Sequence, residues 1–168
     1  MNSLNWMVVY TYSKFEYKVE KELTKLQIET FLPTHDIVKQ WSDRKKRLTV
    51  PLFPNYLFVR VPINESWKVL ATQGVVKFLS EKEEPCFISN HIIASIRKAC
   101  LSTVEVTSQS FNKGDVVDVI SGPLIGAQGV LVEKKGRTRL AISIDLIKQS
   151  VLAEVNVEDL KKKPILIS

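Results

Sequence analysis

The run Pro51-Leu52-Phe53-Pro54-Asn55-Tyr56-Leu57-Phe58-Val59 constrains the fold more than any other stretch of this chain. Proline lacks the N–H that a strand ladder needs. Pro51 and Pro54 therefore shape an entry turn and confine regular pairing to Tyr56–Val61, where aromatic and β-branched side chains favour a central strand. Side chains alternate faces along a strand, so Leu57 and Val59 are expected in the core. Tyr56 and Phe58 share the other face and should be exposed together or buried together.

The segment before this run supplies partners for that strand. Trp6–Thr11 reads as a first strand with Trp6, Val8 and Tyr10 on one face. Ser13-Lys14-Phe15-Glu16 matches the S-x-x-E capping box and predicts a helix to about Gln27, with Phe15, Val19, Leu23 and Leu26 as its buried stripe. Glu29–Val38, interrupted by Pro33, reads as an edge strand, and the polar run Ser42–Arg47 as a hairpin loop. Beyond the proline run, Glu65–Gln73 predicts a short helix closed by Gly74, and Val75–Leu79 and Cys86–Ile88 are short strands about an acidic turn. A last helix, capped by Ser89 or Asn90, carries Ile92, Ile93, Ile96, Ala99 and Cys100 on one face.

The character then changes. Ser102–Asn112 is polar, without helical period, and is the expected linker. After it, Val116–Ile120, Gly129–Glu133, Arg139–Ile144 and Val151–Val155 are short β-branched runs at regular spacing, the rhythm of a small barrel. The expected fold class is α+β: an N-terminal antiparallel sheet flanked by helices over residues 1–103, a linker at 104–112, and a small β-barrel domain over 113–168. The β-branched content of the last part argues against a helical alternative there.

The inventory for catalysis is poor. His35 and His91 are the only histidines, and neither stands at metal-ligand spacing from Cys, Asp or Glu. No enzyme, metal or cofactor is expected. The glycines of Gly122–Gly129 are not followed by the Lys-Ser or Lys-Thr of a phosphate loop and suit tight turns between strands. Cys86 and Cys100 have apolar neighbours and read as small hydrophobes. The apolar stretch Trp6–Tyr10 is far short of a membrane span, so a cytoplasmic monomer is expected.

Charge is unevenly spread, with 15 basic against 10 acidic residues in Met1–Thr103. Lys14, Lys18, Lys21 and Lys25 recur at four, three and four residues and would line one helix face, either as a solvated stripe or as a contact for nucleic-acid phosphates. Arg44-Lys45-Lys46-Arg47 beside Trp41 has the same two readings on its loop, a mobile solubilising tip or a phosphate contact.

Trp6–Thr11, the proline-aromatic run, Gly114-Asp115, and Gly122-Pro123 with Gly129 together resemble the NusG family of transcription elongation factors along nearly the whole chain. The resemblance implies a NusG N-terminal domain followed by a KOW domain, a five-stranded SH3-like barrel. It implies that an aromatic depression binds the clamp helices of RNA polymerase, with Tyr10, Phe53, Tyr56 and Phe58 as the matching positions and Ser66 and Trp67 as a further contact. Specialised RfaH-like or UpxY-like members share the Pro-Leu-Phe-Pro-Asn-Tyr run. At the RfaH-like positions that read non-template DNA this chain has Tyr12 and Gln73, so contact with non-template DNA or nascent RNA is implied without that specificity. In the barrel, Leu124 and Ala127 replace phenylalanines of the NusG turn, and Leu146-Ile147 look RfaH-like. Leu124, Leu146 and Ile147 are thus the expected partner contact, with ribosomal protein S10 as the expected partner in preference to the terminator Rho. The rival reading is an RNA-binding accessory or ribosome-associated KOW protein, which the modest sequence pI of about 9.3 disfavours.

Overall fold

The structure, a computed structural model, describes residues 3–81, 84–101, 104–107, 114, 116–122, 124–134, 137–155 and 159–162. It divides into two compact units, Met1–Ser89 and Asn90–Ser168.

The first unit contains β1 (Asn5–Thr11), α1 (Glu16–Lys25), β2 (Glu29–Phe31), β3 (Thr34–Gln40), β4 (Lys45–Pro51), β5 (Tyr56–Val61), α2 (Ser66–Leu70), β6 (Val75–Phe78), β7 (Ser80–Glu81), β8 (Glu84–Pro85) and β9 (Phe87–Ile88). β1 is the spine of a five-stranded antiparallel sheet. It pairs with β5 from Asn5↔Val61 to Tyr10↔Tyr56, and on its other side with β6 and β9, while β2 pairs with the far side of β5. β5 starts at Tyr56, the first position the two prolines leave free to pair. Pro33 splits the expected Glu29–Val38 strand: β2 stays in the sheet, and β3 leaves it to pair with β4 alone as a separate ribbon.

One sheet face, carrying Met7, Val9, Leu57, Val59 and Val61, packs with Val19 and Leu23 of α1. Leu26 does not join that stripe. It is 52% exposed, because α1 ends at Lys25 and Gln27 turns the chain with a left-handed φ of 60°. The start of α1 also differs from expectation. Lys14 adopts φ 66°, Phe15 takes the N-cap position without a side-chain bond, and Ser13 remains in the preceding turn, so no capping box forms. Gly74, with φ +104°, lets the chain pass against α1, since a Cβ there would lie 2.5 Å from Cδ1 of Phe15.

The second unit contains α3 (Asn90–Ala99), β10 (Val104–Thr107), β11 (Val116–Val119), β12 (Gln128–Lys134), β13 (Arg137–Ile144), β14 (Gln149–Glu154) and β15 (Leu160–Lys162). The strands form one antiparallel sheet in the order β10-β14-β13-β12-β11-β15. Among the described residues six strands stand where five were expected. The addition at one edge is β10, drawn from the expected linker, where alternating Val104 and Val106 favour pairing with β14. Residues 108–112 of that linker lie outside the described residues. α3, expected in the first domain, belongs with this sheet: Ile93, Ile96 and Ala99 are buried, Ser95 Oγ accepts the Gln128 N–H at 3.3 Å, and Lys98 Nζ donates to the Ile125 carbonyl.

Candidate functional site

The proline run ends in a turn held from three sides. The Leu52 N–H donates to the Pro33 carbonyl at 2.7 Å, and the Thr11 N–H to the Asn55 carbonyl at 2.8 Å. Asn55 itself takes φ 69°, and its N–H donates to Glu16 Oε1 at 2.8 Å. Glu16 is only 4% exposed, so this charge-assisted bond replaces the water its carboxylate has lost. The expected capping carboxylate thus serves a turn 39 residues away instead of its own helix.

Immediately beyond that turn, Tyr10 and Tyr56 meet across β1 and β5, edge to face, with ring centroids 5.5 Å apart at 63°. Both rings are half-buried. Phe58 is fully buried, stacked on Phe31 at 5.9 Å and edge-on to Phe53 at 6.1 Å, and Phe53 is also fully buried. Tyr56 and Phe58 therefore part company despite sharing a face. Position along the strand decides it, since Tyr56 stands at the open end of the ladder and Phe58 in its middle.

Ser66 Oγ donates to the Ile63 carbonyl at 2.7 Å and joins the short turn Ile63–Glu65 to α2. Trp67 is 62% exposed and lines a groove of about 770 Å³ with Lys18, Lys25, Leu26, Lys68 and Gln73. The cations here have partners within the unit. Lys18 Nζ donates to Gln73 Oε1 at 3.0 Å and lies 5.1 Å from the Phe15 ring centre. Lys25 pairs with Glu22 at 2.7 Å and Lys68 with Glu65 at 2.6 Å. The hydrogen bond from Lys25 holds the Glu22 carboxyl below its ordinary range, whereas burial pushes that of Glu20 upward. Lys14 falls outside α1, so the expected stripe of four reduces to Lys18, Lys21 and Lys25 on the helix.

The second basic cluster is not confined to a loop. Only Arg44 sits in the turn, which the Trp41 N–H closes by donating to the Arg44 carbonyl at 2.8 Å, and Lys45, Lys46 and Arg47 are strand residues of β4. Strand pairing wins because the ribbon's register runs without interruption from Thr34↔Pro51 to Gln40↔Lys45. At the ribbon's root the Tyr17 phenol donates to the Thr49 carbonyl at 3.2 Å, and burial, with lesser help from Glu20 and Glu16, raises its pKa above the ordinary phenol value, favouring the protonated form that donates.

In the second unit, Leu124 and Ile147 lie in the core and Leu146 is half-buried. Ile125, not among the expected contacts, is the exposed apolar residue of that turn. It stands between Gly122 and Gly126, both of which take positive φ. Among the described residues no group of three or more His, Cys, Asp or Glu side chains is placed to hold a metal, Cys86 and Cys100 form no disulfide, and no helix is long and apolar enough to cross a membrane.

The family model described as transcription termination factor nusG matches residues 4–97. The match spans more than half the chain, and the chain belongs to the NusG family. It is similar to the transcription termination/antitermination protein NusG of Streptococcus pyogenes, 26% identical with 90% of this chain and 92% of the relative covered. With its Staphylococcus carnosus counterpart it shares 28% identity over 94% of each. Among solved structures, the one titled "Domain interaction in Thermotoga maritima NusG" aligns with a TM-score of 0.56 at 22% identity, covering 95% of this chain and 97% of that one, a likeness of fold.

Proposed function

We propose that this chain is a cytoplasmic, non-enzymatic transcription elongation and antitermination factor that binds the clamp helices of RNA polymerase through its first unit and recruits a second partner through a KOW-type barrel in its second. The observation that carries the first half is the Tyr10–Tyr56 pair: two half-exposed rings locked edge to face at the end of a ladder, where paired aromatics make low-entropy anchors for a partner helix. Phe53 and Phe58 are buried and packed edge to face on each other, and the Phe53 carbonyl accepts the Tyr56 N–H at 3.1 Å. Ser66 and Trp67 form a separate contact on α2. A factor of this kind acts by differential affinity, favouring the elongating conformation of polymerase by the excess with which it binds that state.

Nucleic acid, either non-template DNA or nascent RNA, is assigned to the two basic clusters, Lys14, Lys18, Lys21 and Lys25 on one side and Arg44, Lys45, Lys46 and Arg47 on the other. In the second unit the exposed Ile125 and half-buried Leu146 are the contact for ribosomal protein S10, with the buried Leu124 and Ile147 beneath them. Affinity capture with the purified full chain tests both halves. Tyr56→Ala is expected to weaken polymerase capture about tenfold or more. Undiminished capture would overturn the polymerase site, and tight capture of Rho in place of S10 would overturn the partner assignment.

A further inference from the structure

The β3–β4 ribbon carries charge in a pattern that a solvated tip does not require. Lys39, Arg44, Lys45, Lys46 and Arg47 have two carboxylates nearby in sequence, Asp36, which accepts the Thr49 hydroxyl at 2.7 Å, and Asp43, and none of the five has a carboxylate partner among the described residues. The ribbon pairs with no other sheet, and residues 38–47 are all exposed. Its register sorts the strand cations by face. Lys39 and Lys46 are directly opposite and share one face; Lys45, opposite Gln40, and Arg47, opposite Val38, share the other. Like charges directly opposite each other destabilise a ladder, so the Lys39–Lys46 pair calls for an anion between or beside them.

A patch built to lie on one phosphate backbone would place its cations on one face. Both faces are cationic here, and a two-stranded ribbon charged on both faces suits a groove with a phosphate wall on each side. The major groove of B-form DNA, about 12 Å wide, admits such a ribbon, whereas the major groove of A-form RNA is too narrow for side chains to read. The exposed outer part, from Val38 to Arg47, has three paired residues on each strand, a reach of roughly 10 Å before the turn, comparable with the width of the groove. We propose that the β3–β4 ribbon enters the major groove of double-stranded DNA and binds the phosphates on both sides through its two cationic faces. This assignment rests on the nucleic-acid part of the proposed function and goes beyond it, giving the ribbon duplex DNA where that reading gave a single strand.

The test uses the full chain with a fluorescent mixed-sequence DNA duplex of about two helical turns, the same sequence as an RNA duplex, and one DNA strand alone, followed by anisotropy at low and at physiological salt. DNA duplex is expected to bind at least about tenfold more tightly than either competitor. Lys46→Glu reverses one face and Arg47→Glu the other. Each is expected to weaken duplex binding about tenfold, and the pair about a hundredfold, with circular dichroism unchanged and melting not lowered, since both side chains are exposed and a carboxylate at position 46 would face Lys39. Equal or tighter binding of RNA duplex or single strand overturns the proposal, and so does a result in which one face carries the whole effect. Absence of any DNA binding at low salt overturns it together with the nucleic-acid reading, while the polymerase site is judged separately through Tyr56→Ala.

Discussion

α1 and the β3–β4 ribbon carry similar densities of lysine and arginine and are held in opposite ways. On α1, Lys25 is tied to Glu22 and Lys18 to Gln73, the helix start is fastened to the Asn55 turn through Glu16, and Gly74 lies against Phe15. On the outer ribbon Lys39 and Lys46 meet across the ladder, and Lys39 lies over the Trp41 ring at 5.7 Å. Local charge count therefore says little about availability. What separates the two is whether the fold supplies internal partners.

The contrast is sharpest in stability. Gly74→Ala places a methyl where Phe15 and Val19 already stand and demands a φ of +104° from an L-residue, so unfolding in urea should show a loss of about 2–3 kcal/mol. An alanine at Arg47, with no tie to break, should stay within about 0.5 kcal/mol in the same measurement. Equal losses at the two sites would erase the distinction between an anchored and an unanchored region.

A smaller effect separates the two functions of the Glu16 carboxylate. Glu16→Ala leaves the Asn55 N–H without its acceptor and should cost about 2 kcal/mol. Glu16→Gln keeps an acceptor oxygen and should recover about half of that. If Gln is as damaging as Ala, charge rather than acceptance at Asn55 holds the turn.

The smallest expected change is a titration. Because the folded carboxyl of Glu22 is lowered chiefly by its bond from Lys25, its contribution is present above the unfolded pKa and is lost as pH falls through the folded value. Glu20, raised by burial, has the opposite sign: it favours the fold below the unfolded pKa and loses that contribution as pH rises through the folded value. Lys25→Met should move Glu22 upward toward its ordinary range in an NMR titration and leave Glu20 in place. A Glu22 that does not move would show that the pair is not formed in solution.

Much of the framework was legible in the sequence because it rests on local rules. Proline placement set the start of β5, apolar period located α3, and β-branched runs located β11 to β14. The misreadings occurred where a distant group overrode a local rule. Ser13 and Glu16 have the spacing of a capping box, but the Asn55 amide draws the carboxylate away. Lys45–Arg47 look like loop by polarity, but β3 extends the ladder past them. Tyr56 and Phe58 share a face by alternation, but Tyr56 stands at the open end of the ladder while Phe58, in its middle, is covered by Phe31 and Phe53. Ile125 went unnoticed because a single isoleucine among glycines has no period to reveal it.

The bonds at the ribbon's root have a kinetic consequence. The Leu52 N–H to the Pro33 carbonyl and the Tyr17 hydroxyl to the Thr49 carbonyl clamp the inner end of both strands, while the outer half, from Val38 to Arg47, projects unsupported. Such an arm is a cantilever. Small bending at its base sweeps the cations through a wide arc, enlarging the volume in which an oppositely charged partner is captured and raising the association rate before any specific contact is made.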